Sequence, residues 1–182
     1  TGTSHGGVVM PDGTVGQVAV DFDVHRRLGE VARREYGVSG TVQHGASTLP
    51  DELFHRFREV ETVEIHLATG FQNALYEHPA FPRSMHEQIE QWCFANALDE
   101  RKSDQTDQQF VYTTRKKALG PFKRQLWDLE SKDAILHDQA RKIRFLMHEL
   151  GVEGSRPMVD RYVTPVEWHR PIPAALSEAV LA

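Results

Sequence analysis

Apolar and polar residues alternate strictly in one short stretch of the chain, residues 61–68. The apolar side chains fall on one side of an extended backbone and the others fall on the opposite side: Val63, Ile65 and Leu67 against Glu64, His66 and Ala68. A period of two is typical of a β-strand with one buried face. A second apolar run, residues 40–44, ends on His44 and passes directly into a small-residue loop. We predict a strand there as well.

Elsewhere in the first 80 residues, apolar side chains recur at the three-to-four-residue spacing of helices. One helix is predicted from the N-cap Asp23 to Gly37, and a short helix is predicted over residues 50–57. The first of these has one apolar stripe that we expect to be buried: Val24, Leu28, Val31 and Ala32. Two β-rich runs around a Pro-Asp-Gly turn within residues 8–20 predict a small hairpin.

The order strand, helix, strand, helix favours parallel βαβ units. In folds built from such units, ligands bind at the carboxyl ends of the strands. His44 and His66 lie at two predicted strand ends, and His5 would lie at a third if strand precedes Thr1. We therefore expect these three histidines to line the rim of one pocket.

Beyond residue 80 the pattern is mainly helical. An S-x-x-E capping box at Ser84 opens one helix, residues 99–110 are predicted as a polar loop, and a long helix follows Ser131 and ends at Gly151. The chain is thus predicted to have three parts: residues 1–80 with the strands, a helical arm over 81–153, and a proline-rich extended tail over 154–182.

Composition and charge narrow the possible partners. The chain has 182 residues, of which 40% are hydrophobic, and its net charge of -5 comes from interspersed acidic and basic residues, which argues against nucleic acid. No run approaches the about 18 to 20 apolar residues of a membrane-spanning helix, so we expect no membrane partner and a cytoplasmic protein. Cys93, the single cysteine, is predicted to be buried. Because the chain opens on Thr1 without a leading element, we interpret it as a piece of a longer protein.

Two histidines share a sequence context, since glycine directly follows both His5 and His44. Imidazole is a common ligand of Zn²⁺, and the glycine lets backbone and substrate approach closely. A catalytic zinc typically has three protein ligands. His66 is the candidate for the third, with a hydrogen bond inside the sheet as its alternative role. The other seven histidines, His25 among them, are predicted to be solvated.

Small residues follow both predicted strands, in Gly45-Ala46-Ser47 and in Ala68-Thr69-Gly70. Backbone amides in such loops at helix N-termini bind anionic groups. Ordinary turns contain the same residues, so this pattern indicates an anion site only when other motifs support it.

Three motifs together resemble the class II, metal-dependent fructose-bisphosphate aldolases, which are TIM (β/α)₈ barrels. Residues 2–6, GTSHG, look like the family's G-x-x-H-G motif, and residues 42–47, VQHGAS, look like its F-H-G-G-S-G motif. Residues 63–72, VEIHLATGFQ, align without a gap with the family pattern V-K-M-N-I-D-T-D-T-Q. The resemblance covers about residues 1–78. It implies an α/β fold, namely the C-terminal part of a TIM barrel followed by a helical C-terminal arm.

The resemblance also implies roles for individual residues. His5 and His44 would bind Zn²⁺, or another divalent metal. The phosphorylated sugar substrate would be bound by seven residues: Gly6, Gly45, Ser47, His66, Ala68, Thr69 and, in the arm, Arg115. The implied reaction is reversible aldol cleavage of a ketose bisphosphate of the fructose or tagatose type, with the metal polarising the ketone. The family's catalytic base lies in its N-terminal half, so no catalytic residue is expected in this chain, which alone is expected to be inactive. The arm implies a homodimer.

Two positions depart from the family. His66 stands where the family has asparagine and Ala68 where it has aspartate, and both family residues contact substrate. The missing carboxylate leaves the substrate open. Two alternatives therefore stay beside the aldolase: a non-catalytic aldolase-like subunit or assembly module, and another metal-dependent enzyme, such as an epimerase or hydrolase, with His66 as a true third ligand.

Overall fold

The computed structural model of the chain describes residue 10 and residues 20–168. Its only sheet in that part has two parallel strands, β1 (Val42–Gln43) and β2 (Glu64–Ile65). Val42 lies opposite Glu64 and Gln43 lies opposite Ile65. Two 3₁₀ turns and the short helix α2 (His55–Glu59) connect the strands. The predicted parallel pairing of these two segments is confirmed.

The predicted fold class is wrong. The described residues are 62% helical and contain only two short parallel strands, so they are a mostly helical domain and not part of a TIM barrel. A (β/α)₈ barrel needs eight strands. The physical reason lies in the sequence pattern: between Thr69 and Trp168 every regular element is a helix, and each of the two strand segments pairs over only two residues. The predicted hairpin within residues 8–20, together with His5 and Gly6, lies outside the described residues except at residues 10 and 20.

The first helix, α1 (Phe22–Tyr36), packs against the strand pair. The carboxylate of Asp21, rather than that of Asp23, caps it and accepts from the N–H groups of Asp23 and Val24, both at 3.0 Å. Its buried face consists of Phe22, His25 and Gly29, spaced three and four residues apart. The expected buried stripe is wrong, since Leu28 is exposed and the other three residues, Val24, Val31 and Ala32, are only half-buried.

Seven further helices account for most of the other residues that the structure describes: α2, α3 (Thr69–Tyr76), α4 (Arg83–Asn96), α5 (Asp107–Ala118), α6 (Lys123–Trp127), α7 (Lys132–Glu149) and α8 (Arg156–Tyr162). The long helix predicted after Ser131 is confirmed as α7. The segment predicted as a polar loop contains a capping box at Thr106 that opens α5, whereas the side chain of Ser84 caps nothing because α4 begins after Pro82. The predicted extended tail includes α8.

The helices and strands enclose two apolar clusters. The strand-side core is formed by Phe22, Ala46, Leu49, Phe54, Phe57 and Leu146. The helical core is formed by Tyr76, Phe81, Met85, Ile89, Cys93, Ala97, Phe110, Ala118, Phe122 and Ile135. Because Leu146 belongs to one cluster and Ile135 to the other, α7 joins the two cores. Cys93 is fully buried, as predicted, and burial raises the pKa of its thiol.

Candidate functional site

The structure brings two of the predicted site histidines into direct contact. The rings of His44 and His66 stack with their centroids 4.2 Å apart and their planes inclined by 21°. Each histidine directly follows a strand, and because β1 and β2 are parallel, their carboxyl ends meet at one edge. The side chain of Glu64 contacts Nε2 of His66 from the same strand. This edge is the first part of the candidate site.

The alternation predicted for residues 61–68 explains why these rings face outward. Ile65 and Leu67 pack against the strand-side core, whereas Glu64 and His66 are exposed. Val63, predicted on the same side as Ile65, is 50% exposed, so the alternation holds only from Glu64 onward. The same rule holds before the first loop, where Gln43 is buried and His44 is exposed. A period of two therefore places both imidazoles on the solvent face of the strand pair.

The two small-residue loops also meet. A Cβ built on Gly70 would lie 2.4 Å from the backbone oxygen of Ser47, so only glycine fits at this contact. Gly45 has the left-handed φ of 74°, which turns the chain sharply after His44. The predicted substrate residues Gly45, Ser47 and Thr69 thus belong to two loops in contact beside the histidines.

The helix α3 begins in the second of these loops. Its N-cap is Ala68, whose side chain provides no capping hydrogen bond. A helix N-terminus carries partial positive charge on its first N–H groups and favours an anion there. Thr69, the first helical residue, is exposed. The loop therefore keeps the features from which an anion site was predicted.

Arg115, the predicted phosphate ligand of the arm, lies on α5 and contacts α3. Its guanidinium donates to Asn73 Oδ1 at 2.8 Å and to Glu77 Oε1 at 3.0 Å. The rings of Tyr76 and Tyr112 flank it, with centroids 4.9 and 4.7 Å from its Cζ atom. Asn73 is one helical turn, about 6 Å, after Thr69, whereas Tyr76 and Glu77 lie at the C-terminal end of α3. Arg115 is thus held against the C-terminal half of α3 by contacts with protein groups.

The donor set fits zinc in part. Two imidazoles from adjacent strand ends are suitable ligands, whereas a catalytic zinc typically takes three protein ligands. Within the described residues, no group of three or more histidine, cysteine, aspartate or glutamate side chains could hold a metal ion. Within the described residues, His44 and His66 are two imidazoles at the same strand edge, and His5 lies outside the described part.

The sequence prediction missed a buried polar network beneath the site. His25, expected on the surface, is fully buried and contacts Thr41 and Gln43. Two signals in the sequence were available. His25 shares a helical face with Phe22 and Gly29, and Thr41 and Gln43 alternate with the outward-facing Val42 and His44.

Comparison of the chain with family models, with curated proteins and with solved structures gives no match in any of the three. The resemblance to class II aldolases therefore stays a prediction that depends on its own motifs. In the described part of the chain, no helix is long and apolar enough to cross a membrane.

Proposed function

We propose that this chain belongs to a zinc-dependent carbon-carbon lyase that cleaves a phosphorylated ketose by reversible aldol chemistry. The observation that supports the proposal is the stacking of His44 on His66 at the ends of adjacent parallel strands. Beside them lie the two small-residue loops, in contact through Gly70 and Ser47. A metal ligand and an anion site side by side are what a phosphorylated ketone substrate requires.

Each residue would have a limited task. His44 would bind the metal. His66 would lie against the ring of His44, at the position where the family has asparagine. When bound, the metal supplies Lewis-acid polarisation of the ketone carbonyl. Thr69 and Ser47 would bind the nearer phosphate at the start of α3. Arg115 would bind a second phosphate by exchanging its exposed partner Glu77 for the substrate.

A metal-dependent epimerase or hydrolase is the second candidate. It is favoured by the presence of histidine at position 66, because an imidazole is a stronger metal ligand than an asparagine amide. In that case His66 would be a zinc ligand, and its replacement by alanine would abolish metal binding as fully as replacement of His44 would.

The test combines metal content with aldol cleavage of fructose bisphosphate, measured on the full-length protein that carries this chain. His44→Ala should remove both the bound zinc and the activity. The matched control is His55→Ala, since His55 is also half exposed but lies on α2. Zinc binding without ketose cleavage would favour the epimerase or hydrolase. Absence of zinc binding in the unmodified protein would favour a non-catalytic subunit.

A further inference from the structure

The buried histidine of α1 lies directly beneath the candidate site. His25 is 0% exposed, and its ring meets the rings of Phe57 and Phe22 with centroids 5.8 and 6.5 Å away. Both ring nitrogens face polar groups. Nδ1 lies 3.2 Å from Thr41 Oγ1 and 3.4 Å from Thr62 Oγ1, and Nε2 lies 2.5 Å from Gln43 Oε1.

The direction of each hydrogen bond in this network follows from its last acceptor, the backbone carbonyl of His44. The backbone carbonyl of His44 can only accept, so the amide nitrogen of Gln43 donates to it, at 2.5 Å. This orientation turns Gln43 Oε1 toward His25, and an amide oxygen also only accepts. His25 therefore donates from Nε2, and in the neutral ring Nδ1 accepts from the hydroxyl of Thr41, the nearer of the two threonines.

This network holds the candidate metal ligand at its main chain. The ladder of β1 ends at Gln43, so His44 lies one residue beyond the last paired strand residue. Its carbonyl belongs to the peptide unit that leads into the left-handed Gly45. A hydrogen bond to this carbonyl fixes the turn of the chain at His44, and thereby the direction from which its ring leaves the backbone.

We propose that His25 is a positioning residue for His44, acting through the side chain of Gln43. The proposal rests on the proposed function of His44 as a metal ligand. An apolar side chain would fill the space beside Phe22 and Phe57 without needing polar partners. A histidine whose two ring nitrogens are both hydrogen-bonded instead connects α1 to the end of β1 and restricts the motion of that strand end. Partners that orient a metal ligand typically change metal affinity 10- to 100-fold when they are replaced.

The test separates positioning from packing by comparing His25→Leu with the double variant His25→Leu/Gln43→Leu. The single variant removes the His25 donor from the buried oxygen of Gln43, and should lower both stability and metal affinity. The double variant also removes that buried oxygen, which restores part of the stability, although Thr41 and the carbonyl of His44 each lose a hydrogen-bond partner. It should not restore metal affinity, since the bond to His44 is lost. The control is His55→Leu on the exposed face of α2.

Two measurements decide the outcome. Binding of Co²⁺, followed by its visible absorption, should be about 10- to 100-fold weaker in both His25 variants than in the unmodified chain. Long-range proton–nitrogen NMR spectra of the metal-free protein should show one ordered set of His44 ring signals, and broadened or multiple signals in both variants. Urea unfolding gives the stability of each variant.

Unchanged Co²⁺ affinity and unchanged His44 signals in the double variant would overturn the proposal and make His25 a structural residue alone. If the unmodified chain binds no Co²⁺, the proposed function of the site fails. The NMR spectra of His44 then decide on their own whether His25 positions it.

Discussion

The two cores of this protein differ in what they bury. The strand-side core packs its phenylalanines around His25, Thr41 and Gln43, which are all buried and hydrogen-bonded. The helical core is mostly apolar. Its neighbour Thr114 is buried but donates to Phe110 O within the same helix, at 2.7 Å, whereas Tyr76 of α3 donates to the backbone oxygen of Arg115 on α5. Buried polar groups between elements fix orientation, while apolar packing fixes only proximity. The strand-side core has the larger set of such groups, and they lie next to the candidate site.

The largest effect on stability is expected when a buried side chain of the helical core is shortened. Phe110 is fully buried, and its ring lies 5.1 Å from that of Phe94 between α5 and α4. Phe110→Ala should lower the free energy of unfolding by about 3 to 5 kcal/mol, through lost burial and the cavity left behind. The measurement is urea unfolding at constant protein concentration.

Leu98→Ala is the control for this change, because Leu98 is 53% exposed in the same region of the chain. It should change the free energy of unfolding by less than about 0.5 kcal/mol. Equal losses for the two variants would contradict the assignment of Phe110 to the core. Zinc binding should persist in any Phe110→Ala protein that stays folded, because no polar contact to His44 is removed.

Some local elements of the helical region were predictable from sequence, whereas the start of α5, the helix α8 and the arrangement of the helices were not. Periodicity places α7 within a residue or two of its observed bounds, since helical spacing and the left-handed Gly151 are local signals. That Leu146 and Ile135 of this helix enter different cores is a tertiary outcome. The prediction of the fold class was wrong for a related reason. A short sequence motif describes a few neighbouring residues and carries no information about how many strands the fold contains.

The candidate site was predictable in part for a clear physical reason. A strict period of two determines which side chains leave each face, so His44 and His66 could be placed together once the strands were taken as parallel. The role of His25 was not predictable in this way. A histidine among charged residues has the pattern of a surface position, and only the packing of α1 on β1 makes it a partner of Gln43.

A smaller loss of stability is expected when the contact between the two site loops is disturbed. Gly70→Ala would place a Cβ 2.4 Å from the backbone oxygen of Ser47, which cannot move like a flexible side chain. We expect a loss of about 1 to 3 kcal/mol in the free energy of unfolding, as for other overpacked sites. We also expect weaker metal binding, because the loop after His44 must shift.

Gly120→Ala is the matched control, since the nearest atom to a Cβ there is 4.0 Å away. It should be neutral, or stabilising by up to about 1 kcal/mol through the lower entropy of the unfolded chain. If Gly70→Ala behaved like Gly120→Ala, the loops would not be in the close contact described.

The smallest expected effect concerns Tyr76 of the helical core, whose phenol has a raised pKa. Tyr76 is 1% exposed and donates to Arg115 O at 3.0 Å, and burial raises its pKa from 10.0 to about 12 against the opposing charge of Arg115. Because the folded pKa is raised, the contribution of Tyr76 to stability is complete below pH 10 and is lost as the pH rises toward about 12. Tyr76→Phe should remove that part of the alkaline loss of stability, and urea unfolding measured across this pH range checks it. An alkaline slope that stays the same in Tyr76→Phe would mean that other groups cause it, and that the helical core contains no phenol tuned by burial.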